Sequence, residues 1–249
     1  MAGEPRKLVF IHVLKAGGTS LANMLWNSEP SESARYPGPG DFTTSSRDEQ
    51  VVEMHQLYLM NPLTNPRLTP ERRAQIRVAC GHIGYTMARA FGDDFVRVTM
   101  LREPVDRVIS HLRGLQAEGG HSRTLAEIYH EQDTKEFRYL DNLQTRVFAS
   151  IATDVPTILH DFLQVTDVTA RRAAENLRTL DVVGLTGRFA ESVQRIEERT
   201  GRSLGAVMHE NRKKADDPVP GELRQEIAER NRYDAGLYEA ALALFEERR

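Results

Sequence analysis

The sequence predicts an α/β fold in which helices cover both faces of a mostly parallel central sheet and the C-terminal third of the chain is helical. Four short segments, near residues 7–13, 77–80, 95–101 and 181–186, have the apolar and β-branched content of buried strands. Stretches with the periodicity of amphipathic helices separate these segments. Strands that alternate with helices fold as a layered structure with parallel strands.

The length of the chain fits one domain. Its 249 residues can bury one substantial core and show no internal repeat, so we expect a single domain over residues 1–249. We expect the strand near 181–186 to complete the sheet without a chemical role. The last predicted helix, 234–249, has an apolar stripe that we interpret as core packing. The stripe consists of Leu237, Ala241, Leu244 and Phe245.

The first predicted strand runs into a glycine-rich turn that we interpret as an anion cradle. The turn has the sequence LKAGGTS, residues 14–20, and a helical pattern begins within it. Helix N-termini offer unpaired N–H groups and the positive end of the helix dipole, and glycines let the backbone approach a ligand closely. Lys15 adds a positive charge, and Thr19 and Ser20 add hydroxyl donors. A phosphate-bearing ligand is expected here, and the alternative is a plain strand–helix turn.

The order of residues in this cradle differs from that of a nucleoside-triphosphate loop, in which the lysine follows the glycines. The pattern strand-Lys-x-Gly-Gly-Thr-Ser instead resembles the 5′-phosphosulfate loop of sulfotransferases that use 3′-phosphoadenosine 5′-phosphosulfate (PAPS), especially the carbohydrate, heparan 2-O/6-O-like type. That family usually has Pro and Thr where this chain has Leu14 and Ala16. The resemblance implies a three-layer, P-loop-like fold with Lys15 stabilising the leaving phosphate. It assigns the 5′-phosphosulfate to Lys15, Ala16, Gly17, Gly18, Thr19 and Ser20.

The strand near 95–101 is followed by a second motif, REPVDRVIS, which begins at Arg102. Pro104 suits the first turn of a helix, where its missing N–H costs nothing. The pattern Arg-Glu-Pro-x-x-Arg-x-x-Ser is similar to the 3′-phosphate site of the same family. The resemblance implies that Arg102 and Ser110 hold the 3′-phosphate, and the planar fork of an arginine is well suited to this. The alternative is that Arg102 and Arg107 form surface ion pairs with neighbouring carboxylates.

A third motif, Gly81-His82, follows the strand near 77–80. In 2-O-type carbohydrate sulfotransferases a Gly-His at this place supplies the general base, and the resemblance implies that role for His82. An acceptor hydroxyl is a poor nucleophile until its proton is accepted, and the unperturbed pKa of histidine lies nearest neutrality. The alternative is a histidine that caps the end of a strand. We interpret His12 as a mid-strand residue that packs or supports a loop.

The single cysteine, Cys80, excludes an internal disulfide bond. It lies on the same predicted strand face as His82, so a Cys–His nucleophile pair is one interpretation. A buried, apolar-like cysteine is the other, and we favour it. The sequence has no Cys-x-x-Cys, His-Glu-x-x-His or similar spacing, so we expect no metal site.

Two further segments are consistent with the family. The segment Asn-Leu-Gln-Thr-Arg that begins at Asn142 resembles a helical segment of bacterial members. It either borders the active site or forms a solvated helix face, and the roles of Asn142, Gln144 and Arg146 stay open. The resemblance also places a basic loop, with Arg212 and Lys213, against the phosphates of the cofactor. The alternative for this loop is a solvated charge cluster.

Lys15, His82 and Arg102 each follow the end of a predicted strand. Because ligands in such folds bind at the carboxyl ends of the strands, we expect these three side chains to converge on one edge of the sheet. Two segments rich in small and polar residues, 28–41 and 117–123, would overhang that edge. They are either loops that choose the acceptor or disordered connections.

These motifs together predict sulfuryl transfer from PAPS to a hydroxyl of a carbohydrate or small-molecule acceptor, with 3′-phosphoadenosine 5′-phosphate (PAP) as the product and without a metal. The alternatives are an ATP-type nucleotide kinase, a non-catalytic nucleotide-binding protein and a glycosyltransferase. The net charge of −3 favours a small, neutral or lipid-linked acceptor over a long sulfated polymer, and it does not suggest a nucleic-acid partner.

The sequence also predicts a compartment. It leads into the first strand without a separate hydrophobic stretch, and it has no apolar run of about 18 residues that would span a membrane. Animal carbohydrate sulfotransferases that resemble this chain usually carry a Golgi anchor. We therefore expect a cytoplasmic enzyme of bacterial origin.

Overall fold

The part of the chain that the structure describes contains a five-stranded sheet in which every neighbouring pair of strands is parallel. The computed structural model describes residues 4–29, 35–36, 70–119, 123–131, 137–150, 164–206 and 218–248. The strands are β1 (Lys7–Ile11), β2 (Arg35–Tyr36), β3 (Val78–Gly81), β4 (Phe95–Leu101) and β5 (Val182–Leu185). Their order across the sheet is β2-β3-β1-β4-β5. The predicted parallel sheet is confirmed.

Helices connect the strands and form the C-terminal part of the chain. They are α1 (Gly18–Ser28), α2 (Pro70–Gln75), α3 (Tyr85–Arg89), α4 (Pro104–Glu118), α5 (Leu125–His130), α6 (Phe137–Leu140), α7 (Leu143–Ala149), α8 (Asp167–Arg178), α9 (Phe189–Thr200), α10 (Gly221–Arg230) and α11 (Arg232–Glu247). A 3₁₀ turn, Thr186–Arg188, links β5 to α9. The helical C-terminal third predicted from the sequence is therefore confirmed, with β5 inside it.

Both faces of the sheet are covered, which gives the three predicted layers. Successive residues of a strand point to opposite faces, so the apolar residues of β1 divide between two cores. Leu8 and Phe10 pack with α1 and α9, whereas Val9 and Ile11 pack with α3, α7, α8 and α11. The predicted stripe of α11 is buried in the second of these cores through Leu237, Ala241, Leu244 and Phe245.

The first strand is shorter than predicted. Its ladders to β3 and β4 end at Ile11, opposite Gly81 and Thr99. His12, which the sequence placed mid-strand, therefore follows the end of the strand and can take part in the turn beyond it. The short strand β2 was not predicted, because it lies within the segment 28–41 that had been interpreted as a loop.

A buried ion-pair cluster closes the opposite, amino edge of the sheet. Glu29, just after α1, lies 3.3 Å from the Arg202 guanidinium and 3.5 Å from that of Arg77. Arg202 also donates to the main-chain oxygens of Arg6 and Arg77, which directly precede β1 and β3. This cluster ties the starts of two central strands to the segment that follows α9.

Candidate active site

The anion cradle, residues 14–20, turns directly from the end of β1 into α1. Lys15 and Gly17 have positive φ angles of 64° and 78°, so the turn makes two left-handed steps before the helix begins. A non-glycine residue in this region is uncommon, and such strain clusters at functional sites. Gly17 is the N-cap residue and has no side chain to satisfy the N–H groups of the first turn. No side chain therefore caps the first turn of α1 at this position.

Packing around the cradle explains one of its glycines. A Cβ atom on Gly18 would lie 1.9 Å from Cδ2 of the His12 ring, so no larger residue fits. His12 thus supports the loop, as the sequence suggested, although from beyond the end of the strand.

Thr186, which directly follows the outermost strand β5, anchors the cradle to that strand. Its hydroxyl group is 2.7 Å from the carbonyl oxygen of Ala16 and 3.1 Å from that of Leu101. From the sequence, this segment was expected only to complete the sheet. The contact joins the cradle to the ends of β4 and β5, so Thr186 is a site residue that the sequence motifs missed.

The first and second motifs meet at this edge. Arg102 Nη1 donates to the main-chain oxygen of Lys15 at 3.3 Å. The ammonium group of Lys15 reaches α4, where an ideal Cβ on Gly114 would lie 3.1 Å from Nζ. Ser110 precedes Gly114 by one helical turn and shares that helix face. Lys15, which is expected at the 5′-phosphosulfate, and Arg102, which is expected at the 3′-phosphate, therefore lie beside each other.

Among the ion pairs between described residues, none joins Arg102 or Arg107 to Glu103 or Asp106, so the alternative interpretation of this motif is wrong. The Glu103 carboxylate caps α4 instead, accepting from the N–H groups of Val105 at 3.1 Å and Asp106 at 2.8 Å. Asp106 pairs with Arg224 on α10. Burial lowers the pKa of the Arg102 guanidinium, although nearby Asp106 and Glu103 oppose that shift.

His82 follows the last residue of β3, at the same edge. Its Nδ1 lies 2.7 Å from the carbonyl oxygen of His12, which accepts the hydrogen bond when Nδ1 carries the proton. That tautomer leaves the basic lone pair on Nε2. The two rings are 4.2 Å apart, and burial together with His82 lowers the pKa of His12 well below its ordinary value. His12 is therefore neutral and links His82 to the start of α1.

The sequence comparison identifies the family. A profile of the sulfotransferase family matches residues 1–239. The chain belongs to the sulfotransferase family. It is also similar to the crystal structure of a sulfotransferase from Alicyclobacillus acidocaldarius, with 18% sequence identity, a TM-score of 0.48 and coverage of 95% of this chain and 96% of that one. A search of curated proteins gave no significant match.

The segment around Asn142 in this sulfotransferase is buried, so its interpretation as a solvated face is wrong. Asn142, Gln144 and Arg146 are 4%, 0% and 7% exposed. Arg146 pairs with Asp141 at 2.6 Å. Gln144 lies directly against Arg102: its side-chain amide contacts both polar groups of the Arg102 main chain.

Two residues of α4, Arg107 and His111, are buried, so the alternative that placed Arg107 in a surface ion pair is wrong. His111 packs its ring 5.7 Å from that of Tyr139, and burial, Arg107 and Lys15 together lower its pKa to about 3. Arg107 is fully buried, and its guanidinium nitrogens have no hydrogen-bond partner among the described residues. Burial lowers the pKa of Arg107 to about 10, with Asp234 opposing the shift, so the group stays positively charged. It adds positive potential beside Arg102.

The remaining predicted residues of the sulfotransferase are placed as follows. Cys80 is buried in the apolar core that contacts α1, in agreement with the interpretation that we favoured. Arg212 and Lys213 lie outside the described residues, as does most of the segment 28–41. Among the residues that are described, no group of three or more His, Cys, Asp or Glu side chains could hold a metal ion. None of the described helices is both long and apolar enough to cross a bilayer.

Proposed function

We propose that this sulfotransferase moves a sulfuryl group from PAPS to a hydroxyl of a carbohydrate or small-molecule acceptor and releases PAP. The 3.3 Å contact between the Arg102 guanidinium and the Lys15 main chain carries the proposal. It supports a single nucleotide that spans both motifs, with its 5′-phosphosulfate on the cradle and its 3′-phosphate on Arg102 and Ser110. We further propose a single-domain, cytoplasmic, bacterial enzyme of the heparan 2-O/6-O-like type.

The cradle residues would bind the 5′-phosphosulfate through the N–H groups of Gly17 and Gly18 and the hydroxyls of Thr19 and Ser20. The acceptor oxygen forms a bond to sulfur while the bond from sulfur to the bridging oxygen breaks. Negative charge then builds on the departing 5′-phosphate, where Lys15 would stabilise it. The positive charge that this step needs comes from Lys15 and the N-terminus of α1, so we propose no metal.

His82 would accept the proton of the acceptor hydroxyl at Nε2. The hydrogen bond of Nδ1 to His12 fixes the ring and favours the tautomer with its basic lone pair on the other nitrogen. General base catalysis of this kind contributes about 10²–10⁴-fold. Because burial and the neighbouring His82 lower the pKa of His12 well below its ordinary value, the His12 ring would not take this proton.

Isothermal titration calorimetry with PAP, ADP and ATP tests the proposal. We expect a clear preference for PAP that is lost in Arg102→Ala, since only PAP carries the 3′-phosphate. A preference for ATP would instead favour the nucleotide kinase and refute the assignment of both motifs.

Turnover of PAPS with a panel of sugar and alcohol acceptors tests the transfer itself. Lys15→Ala should lower kcat by about 10²–10³-fold. Lys7→Ala is the matched control, because Lys7 lies at the amino end of β1 and pairs with Asp94 at 2.9 Å. Binding of PAP with no transfer to any acceptor would indicate a non-catalytic nucleotide-binding protein. Equal loss in both variants would refute the role of Lys15.

A further inference from the structure

The buried side chain of Gln144 holds the main chain of Arg102 at two points. Its Oε1 accepts from the Arg102 N–H at 3.1 Å, and its Nε2 donates to the Arg102 carbonyl oxygen at 3.0 Å. Both distances are those of ordinary hydrogen bonds. A carboxamide satisfies an N–H and a C=O of one residue simultaneously in only one orientation. The pair of bonds therefore fixes the main chain of Arg102 as well as the side chain of Gln144.

The position of Arg102 makes this contact consequential. β4 ends at Leu101 and α4 begins at Pro104, so Arg102 lies in a connection of two residues. Its main chain sets the direction in which the guanidinium leaves the sheet toward the carbonyl oxygen of Lys15. A small rotation of that main chain would move the guanidinium away from the cradle, because the side chain is long.

Gln144 is itself held by α11. The Asp234 carboxylate accepts from the N–H groups of Gln144 at 3.1 Å and Thr145 at 2.7 Å, and from the Thr145 hydroxyl at 2.8 Å. The side chain of Asn142, directly before α7, accepts from the N–H of Asp234 at 3.1 Å. The start of α7 is thus fixed to α11 by hydrogen bonds in the interior.

We infer that Gln144 is a positioning residue for recognition of the 3′-phosphate. It holds the Arg102 main chain so that the guanidinium can contact the cradle and the nucleotide at the same time. This inference rests on the proposed function. It predicts that Gln144 affects the affinity for the 3′-phosphate specifically, and not the affinity for the adenosine 5′-phosphate part of the ligand.

The test compares the affinities for PAP and for adenosine 5′-phosphate in Gln144→Met, which removes both hydrogen bonds and keeps the side chain long. We expect the preference for PAP to fall by about 10-fold or more, which corresponds to about 1.4 kcal/mol. Asn176→Leu is the matched control. It removes an amide that donates at 2.7 Å to the Phe148 carbonyl oxygen, at the other end of α7. The control should keep the preference of the wild type.

A double-mutant cycle separates positioning from a general loss of stability. If Gln144 acts through the Arg102 guanidinium, Gln144→Met should change the preference for PAP little in the Arg102→Ala background. An equal loss in both backgrounds would overturn the inference.

Gln144→Glu offers a second variant in case Gln144→Met does not fold. A protonated carboxyl group can reproduce both hydrogen bonds, whereas a carboxylate only accepts. Relative to the wild type at the same pH, its preference for PAP should therefore weaken between about pH 5 and pH 8, since burial raises the pKa of a carboxyl group. A constant ratio to the wild type would contradict the inference. If the wild type itself does not prefer PAP, the proposed function fails instead.

Discussion

The most quantitative prediction concerns His111 and the stability of the protein in acid. Its pKa is lowered from 6.5 to about 3 in the folded state, chiefly by burial, and further by the positive charges of Arg107 and Lys15. Between those two pH values the unfolded chain binds a proton at His111 that the folded chain does not. Stability therefore falls as the pH falls through this window, and it does so by about 1.4 kcal/mol per pH unit.

The variant His111→Phe should remove this pH-dependent loss of stability while keeping an aromatic ring against Tyr139. Urea denaturation at a series of pH values between about 7 and 4 gives the free energy of unfolding for both proteins. We expect the variant to lose stability less steeply, so that its free energy of unfolding rises relative to that of the wild type as the pH falls.

His130→Gln provides a matched control. His130 is exposed and pairs with Glu226 at 2.8 Å, and exposed pairs of this kind contribute at most about 1 kcal/mol. Curves for the wild type and His111→Phe that stay parallel over the window would refute the argument that His111 is held neutral by its surroundings.

Three further predictions can be checked with standard assays. His82→Ala should lower kcat by about 10²–10⁴-fold and leave the affinity for PAP, measured by calorimetry, nearly unchanged; full activity at neutral pH would exclude His82 as the base. Glu29→Ala leaves the buried Arg202 without its carboxylate and should cost about 3–5 kcal/mol of unfolding free energy, whereas a loss below about 1 kcal/mol would show that the pair is solvated. Gly18→Ala forces a methyl group into the His12 ring and should cost about 1–3 kcal/mol. His12→Ala should relieve most of that clash, and strictly additive effects of the two changes would contradict the contact.

The sequence predicted those parts of the site that are encoded locally. Strand-to-turn-to-helix patterns are visible in short windows, so the cradle and the motif at Arg102 could be located, and the parallel sheet explains why they meet. The end of β1 was placed too late, because the apolar pattern continues to Val13 while the ladders to its partners end at Ile11.

The supporting contacts could not be predicted, because they join distant parts of the chain. Thr186 reaches Ala16 across 170 positions, and Gln144 reaches Arg102 across 42. Neither residue has a local pattern that would reveal its partner. A threonine after a strand and a glutamine in a helix are ordinary features until the packing of β5 and α7 is known.

The anchoring of the cradle by Thr186 has a consequence for biosynthesis. The cradle residues leave the ribosome early, whereas the hydroxyl that fixes Ala16 is made only after β5, and the Asp234 carboxylate that orders the start of α7 follows later still. A nascent chain that ends before β5 carries the complete loop sequence with its carbonyl group still unanchored. The turn that carries Lys15 is therefore anchored by a residue that is synthesised long after the turn itself.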